Sequence, residues 1–387
     1  MRRKNLLIIT SKPIFPVDGG DKLRILEIAK ELNKYYNLDI IFPGNETDKD
    51  LTVKSNLFQN VYAHKINILR IILNILNFTF SNLPIQLSIV YHPKFRKFLN
   101  NHGNKYDVIL PHLYRSAFYI PKKFNSKVVY EACDCFSLAA KRISRIRSIK
   151  EFVFKLDQVK VFKLEKKLIQ SFPKSVFINV EDLNYLFKGN KFNKFRIITN
   201  GKRIESISDK NIHNNFKSKA FLFIGNMNTI PNQAAINYFY DEIFCKYFPD
   251  YKLIIAGKNS KTFNRERTHC IDHFDSLQSL SKLGIFAGIA PMQNGVGVQN
   301  KILDYFNLKV PVLTTSFGYS GLKANPDEQI LLFEDPIGFK NKINLLRENE
   351  KYYTSVALSG YQYLKENHNW VQVGEIYKNL IEENICE

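Results

Sequence analysis

Acidic residues are scarce in this chain: its 387 residues hold 36 Asp and Glu against 56 Lys and Arg, a formal net charge of +20. That shortage argues against a cationic partner and for an anionic one, whether nucleic acid, a membrane surface or phosphorylated substrates. Part of the excess is compositional, since Lys, Asn and Ile are all frequent. Cysteine is also sparse. Cys133, Cys135, Cys245, Cys270 and Cys386 are odd in number and scattered, which excludes a disulfide framework and fits a reducing compartment. Cys133 and Cys135 form a C-x-C with no second pair and no histidine spacing around it, so no zinc site is expected. Long apolar runs are missing too, and none reaches the ~18 residues of a transmembrane helix. The opening MRRKNLLIITSKPIFP has a basic start, but its apolar run is too short for the core of a signal peptide and reads as a first buried strand. A cytoplasmic location is the expectation.

What is present is a repeating alternation. NLLIIT, LDIIFP, YDVILPH, KVVYEA, SVFINV and FRIIT read as strands separated by helical stretches, the first helix spanning 20 to 35. A second set follows: AFLFIG, YKLIIAG, GIFAGIA, VPVLTT and QILLF. Alternating strands and helices predict parallel sheets covered on both faces. A chain of this length exceeds one core, so two domains are expected. The polar stretch NGKRIESISDKNIHNNFKSK interrupts the pattern and reads as a linker. The predicted organisation is an α/β domain over 1–200, a linker over 201–217, and a second α/β domain over 218–366. Two final helices span about 337 to 366, with a break, and 368 to 384.

Two glycine turns stand at strand-to-helix junctions, where α/β sheets place ligands. One is FPVDGGDKLR, where Gly19 and Gly20 would let backbone amides approach an anionic group. The other is NGVGVQNKILDYF, residues 294 to 306. It is either a tight turn into a helix or a loop that holds a phosphate. Lys301 and Asp304 lie three apart on that helix and so share a face. The lysine there can neutralise a diphosphate, helped by the helix N-terminus and the amides around Gly295 and Gly297. The plainer alternative is a Lys301–Asp304 pair on an exposed helix.

FPVDGGDKLRILEIAKEL, FIGNMNTIPNQAAINYF and GVGVQNKILDYFNLKVPVLTTSFGYSGL together resemble the GT-B glycosyltransferases. The match is to the retaining nucleotide-sugar group numbered family 4, in its bacterial polysaccharide-assembly branch. The matches run in order along nearly the whole chain and are weakest between 50 and 105. The resemblance implies two Rossmann-like domains facing each other across a deep cleft, with the C-terminal one holding a nucleotide-sugar donor. It implies a last helix, 367–387, that crosses back to the first domain. Lys301 and His112 are the implied catalytic residues, His112 orienting the donor sugar from a strand end; a structural histidine is the alternative. The implied donor-binding set is Gly19, Gly20, Arg115, Asn228, Gly295, Gly297, Asn300, Lys301 and Asp304, with Asp304 on the ribose hydroxyls. Asp134 and Ser137 are implied substrate contacts, although Asp134 also suits a helix N-cap, and Glu181 suits a capping role. The pattern departs from the family at Val296, where many relatives have a glutamate, and at Asn226 to Asn228, where many have basic residues. Lys258 is a possible substitute. No D-x-D pair accompanies these loops, so neither metal nor other cofactor is expected.

KINILRIILNILNFTFSNL carries polar residues at 67, 70, 74, 77 and 81, a narrow polar stripe on a greasy helix. Such a helix is deeply buried or lies in a membrane interface. The basic stretch KRISRIRSIKEFVFKLDQVKVFKLEKK is either a solvated face or a rest for anionic lipid headgroups. A peripheral attachment to the inner face of the membrane is therefore expected. A nucleic-acid-binding protein is the rival reading of the charge, arginines 142, 145 and 147 included, but the chain lacks a reader module and its aromatics are not arrayed as stacking platforms. A nucleotide-sugar epimerase on the same fold is the other rival, and it would need acid/base groups that the sequence does not cluster.

Overall fold

The computed structural model describes residues 2–143, 149–187, 189, 193–293 and 299–386. They divide into two units, Met1–Asn200 with Trp370–Glu387, and Gly201–Asn369.

In the first unit the strands are β1 (Asn5–Ile9), β2 (Asn37–Pro43), β3 (Asn60–His64), β4 (Val108–Pro111), β5 (Val129–Cys133), β6 (Lys174–Phe177) and β7 (Phe195–Ile197). They form two sheets, β3-β2-β1-β4 and β5-β6-β7. Parallel bridges from Ile109 to Val128 and from His112 to Glu131 carry the first sheet into the second. Every named pairing is parallel. Successive residues of β1 serve opposite cores, Leu7 and Ile9 on one face, Leu6 and Ile8 on the other. That is why NLLIIT is apolar throughout instead of alternating.

The helix Gly20–Leu32 covers one face with Ile25, Leu26, Ile28, Ala29 and Leu32. The last helix, Trp370–Cys386, packs on it through Trp370, Val373, Tyr377, Leu380 and Ile381. A Cβ at Gly374 would lie 2.3 Å from the Cβ of Glu31, so only glycine permits this approach. Beneath both helices Arg24 is wholly buried. Its Nε donates to Glu131 Oε1 at 2.8 Å, Nη1 to Asn200 Oδ1 at 2.9 Å, and Nη2 to the Ile198 carbonyl at 2.9 Å. The Tyr377 hydroxyl donates to the second Glu131 oxygen. One buried guanidinium thus ties the first helix, β5, the end of the first chain segment and the returning helix.

The second unit holds β8 (Ala220–Ile224), β9 (Lys252–Ala256), β10 (Thr268–Ile271), β11 (Ala287–Ala290), β12 (Val312–Thr314) and β13 (Leu331–Leu332). Their order is β10-β9-β8-β11-β12-β13, again all parallel. In both units the chain builds outward in one direction, then returns to the other side of its first strand. The expected linker over 201–217 is instead an integral part of this unit. It contains the helix Lys210–Lys217 with Ile212 buried. Glu205 accepts from the Leu277 and Gln278 amides at 3.1 and 3.0 Å, and Asn215 from the Ile285 amide at 2.9 Å. Its polar side chains satisfy buried backbone groups, which composition alone does not distinguish from a solvated linker.

Candidate functional site

Each unit has one switch point, where strand order reverses and neighbouring strands send their helices to opposite faces. Ligands of open parallel sheets bind there, beyond the carboxyl ends of the strands. In the second unit the switch lies between β8 and β11, and Lys301 occupies it. Its Nζ donates to Asn232 Oδ1 at 2.6 Å and lies 3.4 Å from Met292 Sδ. It also sits 4.3 Å from the centroid of the Phe223 ring. Asn232 follows β8, Met292 follows β11, and Phe223 lies within β8.

The helix Asn300–Asn307 places the lysine, and Tyr305 fixes the helix. The Tyr305 hydroxyl accepts from the Ile224 amide at 2.8 Å and donates to the Ile289 carbonyl at 2.9 Å, bridging the two switch-point strands. Gly288 makes room for its ring, since a Cβ there would lie 2.2 Å from Tyr305 Cγ. Lys301 is buried among neutral partners, and burial brings its pKa down to about 7. A cation held out of water without a counter-charge is suited to receive an anion. The adjoining stretch 294–298 adds no acid. The helix N-terminus, with Gln299 in the cap position and no side-chain cap bond, adds amides and partial positive charge.

Asp304 is also buried, but it does not pair with Lys301. Its Oδ1 forms an ion pair with Lys202 at 2.6 Å. The alternative of a Lys301–Asp304 pair on an exposed helix is thereby corrected, because the residues from Lys301 to Asn307 are all buried. Asn300 is exposed at the first helical position. Asn228 is exposed after β8 and accepts from Asn259 Nδ2 at 2.6 Å. Lys258, after β9, is exposed and its carbonyl receives the Met227 amide. Gly295, Gly297 and Val296 lie outside the described residues.

In the first unit the switch lies between β1 and β4. His112 stands just beyond β4 and lines a small cavity with Thr10, Ser11, Lys12, Asp21 and Lys22. It is 3% exposed, and neither ring nitrogen has a hydrogen-bond partner. Burial, then the charge of Arg24, push its pKa down to about 3, so the ring is neutral at ordinary pH. The next residue, Leu113, is held at φ 68°, a strained conformation for a branched side chain. Gly19 caps the first helix with extended backbone, and a Cβ at Gly20 would meet only open space. Packing around Gly20 therefore leaves room for a side chain there. Beside it Lys12 and Asp21 form an ion pair at 2.6 Å.

Asp134 follows β5 and is exposed. It is not the helix cap that aspartate at that place suggests. The Cys135 amide goes to Asp182 at 3.0 Å, and the Phe136 and Ser137 amides go to Glu165 at 2.8 and 3.2 Å. Ser137, the other implied substrate contact, is fully buried, and its hydroxyl donates to Glu165 at 2.6 Å. Burial raises Glu165 to about 7 against these bonds. Arg115 is half-buried, donates to Gln86 Oε1 at 2.6 Å, and stacks over Phe136 at 5.1 Å. Glu181 pairs with Arg142, while Asn179 caps that helix.

Among the described residues no group of three or more His, Cys, Asp or Glu is placed to hold a metal ion. A D-x-D spacing does occur away from the glycine loops, at Asp48 and Asp50. There Asp48 closes a capping box with Asn45 in the helix Glu46–Lys54, which gives it a local structural role. Sequence reasoning missed Lys202, Asn232 and Arg24, since a lone Lys, Asn or Arg carries no spacing signal.

No protein-family model matches the chain. In sequence it is similar to an uncharacterised 44.6 kDa protein in the cps region of Klebsiella pneumoniae, 23% identical over 416 residues, 98% of this chain and 99% of that one. In structure it is similar to Alr3699/HepE of Anabaena in complex with UDP, at 13% identity and a TM-score of 0.68 over 98% of this chain and 100% of the other. A glycosyltransferase from Rickettsia africae ESF-5 gives 11% and 0.64 over 99% of each chain. WaaG, a glycosyltransferase involved in lipopolysaccharide biosynthesis, gives 12% and 0.61 over 97% and 99%. Likeness at such low identity carries the architecture, and the chain has the GT-B glycosyltransferase fold, with two Rossmann-like α/β units.

Proposed function

We propose that this chain is a glycosyltransferase that moves a sugar from a nucleotide-sugar donor to a saccharide or lipid-linked saccharide acceptor in surface-polysaccharide assembly. The observation that carries the reading is Lys301, a buried ammonium whose partners among the described residues are all neutral, at the switch point of the second unit. Glycosyl transfer builds negative charge on the departing diphosphate, and a pre-placed cation with helix amides beside it stabilises that charge. HepE of Anabaena has been solved with UDP-glucose, which supports a uridine nucleotide as the first donor to test. Asp304, with one oxygen on Lys202, is assigned to the ribose hydroxyls through its other oxygen. We assign neutral His112 to a sugar hydroxyl, Gly19 and Gly20 to close approach of backbone amides, and Asp134 to the acceptor. The leaving phosphate itself is assigned the acceptor's proton on the same face, giving retention without a metal. The setting we infer is the cytoplasmic side of a membrane, in keeping with the similarity to WaaG and to the cps-region protein.

Calorimetric titration with UDP, GDP and their sugar conjugates tests the donor site, followed by transfer assays with the conjugates that bind. Binding of at least one, abolished by Lys301→Ala in a folded protein, is the expected result. Failure of every nucleotide to bind, or undiminished binding by the variant, would sink the assignment.

A further inference from the structure

The helix Ile68–Thr79 is built inside out. Its buried side holds Asn74, 3% exposed, whose Nδ2 donates to the carbonyls of Ser88 and Tyr91, each at 2.9 Å. Phe78 is the other buried residue of this helix. Ile71 is half-buried, while Ile68, Leu69, Ile72, Leu73, Ile75 and Leu76 are exposed, and Phe80 just beyond is 90% exposed. An amphipathic helix in a soluble protein turns its apolar stripe to the core. Here a polar residue anchors the helix and the stripe is left facing out.

The surface extends beyond one helix. The helix Ile149–Leu156 packs on the turn Ile85–Ile89, and the Gln86 amide donates to Asp157 Oδ2 at 2.8 Å. Lys160 Nζ donates to the Phe78 carbonyl at 3.2 Å. Around these contacts Ile89, Phe152, Leu156 and Val159 are also exposed. Large exposed apolar areas of this kind mark interaction sites.

We propose that this composite face seats the first unit on an anionic lipid bilayer, lying in the plane of the headgroups. The inference deepens the functional reading above and rests on it only for what the bilayer carries, a lipid-linked acceptor. Charge selects the occupant. From Leu51 to Tyr106 the chain contains no acidic residue. Lys65 precedes the helix, Arg70 lies within it, and Lys155 stands between Phe152 and Leu156. A rim of cations around an apolar face matches an anionic headgroup layer. A second copy of the chain would instead bring two cationic rims together, each on a protein of charge +20. The helix has 12 residues, and no described helix is long and apolar enough to cross a membrane, so the geometry is that of lying on the surface.

The test is sedimentation of the full chain with vesicles of phosphatidylcholine alone, or mixed with phosphatidylglycerol, at low and high salt. We expect binding to the mixed vesicles, weakened by salt, and little binding to the neutral ones. Leu69→Ser/Leu73→Ser/Leu76→Ser should weaken it by at least roughly tenfold, as should Lys65→Glu/Lys155→Glu. All five positions are exposed or on the surface, so UDP affinity and melting temperature should hold. The single native tryptophan, Trp370, is buried, so Leu73→Trp adds a reporter whose emission should shift to the blue only with the mixed vesicles. Equal sedimentation of the serine variant, or no shift at Leu73→Trp, would overturn the proposal. A wild-type dimer that the serine variant converts to a monomer would give the face to a second copy, and overturn it too. UDP binding, measured on the same preparations, reports the donor site separately, so either reading can fail alone.

Discussion

Lys301 and Asn232 meet through a 2.6 Å hydrogen bond between an ammonium and an amide oxygen. An amide oxygen is a weak substitute for a carboxylate. No acid among the described residues balances the lysine's charge, and burial sets its pKa near 7. A diphosphate placed against it would restore the counter-charge and raise that pKa again. UDP binding at pH 8.5 should accordingly take up a proton. Calorimetry in two buffers of different ionisation heat measures this uptake directly. Equal heats in the two buffers would contradict it.

The same lysine should cost the ligand-free protein stability. Its ordinary pKa is 10.5 and its folded pKa about 7, so between those values the unfolded chain binds more protons. Stability should rise with pH across that window, and the penalty should be complete below about pH 7. Lys301→Met should therefore raise stability at pH 6 by roughly 2–4 kcal/mol while abolishing transfer. Urea unfolding at pH 6 and pH 9, wild type against variant, measures both the gain and the loss of slope. A variant less stable than wild type at pH 6 would count against an uncompensated cation.

His112 calls for a different pattern. With both ring nitrogens unpartnered and a pKa pushed down to about 3, it should act as a neutral donor or acceptor throughout the working pH range. His112→Ala should lower kcat about 10²-fold or more, with the UDP dissociation constant little changed. The pH profile of kcat between 5.5 and 7.5 should have the same shape in the variant as in wild type. A step there that vanishes in the variant would mean that the ring titrates at work.

How far all this is legible in sequence depends on the kind of signal. Strands buried on both faces, such as NLLIIT and AFLFIG, are continuous apolar runs, and the sequence places them well. Edge strands β3 and β10, NVYAH and THCI, are mixed in composition and half-buried, so they escape notice. The helix at 68–79 has a readable pattern but an unreadable direction. Composition shows a polar stripe, while only the Ser88 and Tyr91 carbonyls decide that Asn74 faces inward. At the candidate site the glycine turns and Lys301 stand out by spacing. Lys202, 102 positions before Asp304, and Asn232, 69 before Lys301, are brought in by the sheet order, which no local pattern encodes.

Arg24 and Glu131 form the buried charge pair of the first unit, 1% and 0% exposed, with Tyr377 closing the second carboxylate oxygen. Removing one partner leaves the other charge buried without a counter-ion, which costs about 3–5 kcal/mol. Arg24→Met should show a loss of that size in urea unfolding. Tyr377→Phe keeps the ion pair and removes only one hydrogen bond, so it should cost about 1–3 kcal/mol. The Arg24 contacts to Ile198 and Asn200 hold the last residues of the first chain segment, and Tyr377 lies on the helix by which the chain returns. Limited proteolysis should therefore cut Arg24→Met near Asn200 faster than wild type, with Tyr377→Phe in between. Equal cleavage of all three proteins would mean that the guanidinium holds the core without holding that segment.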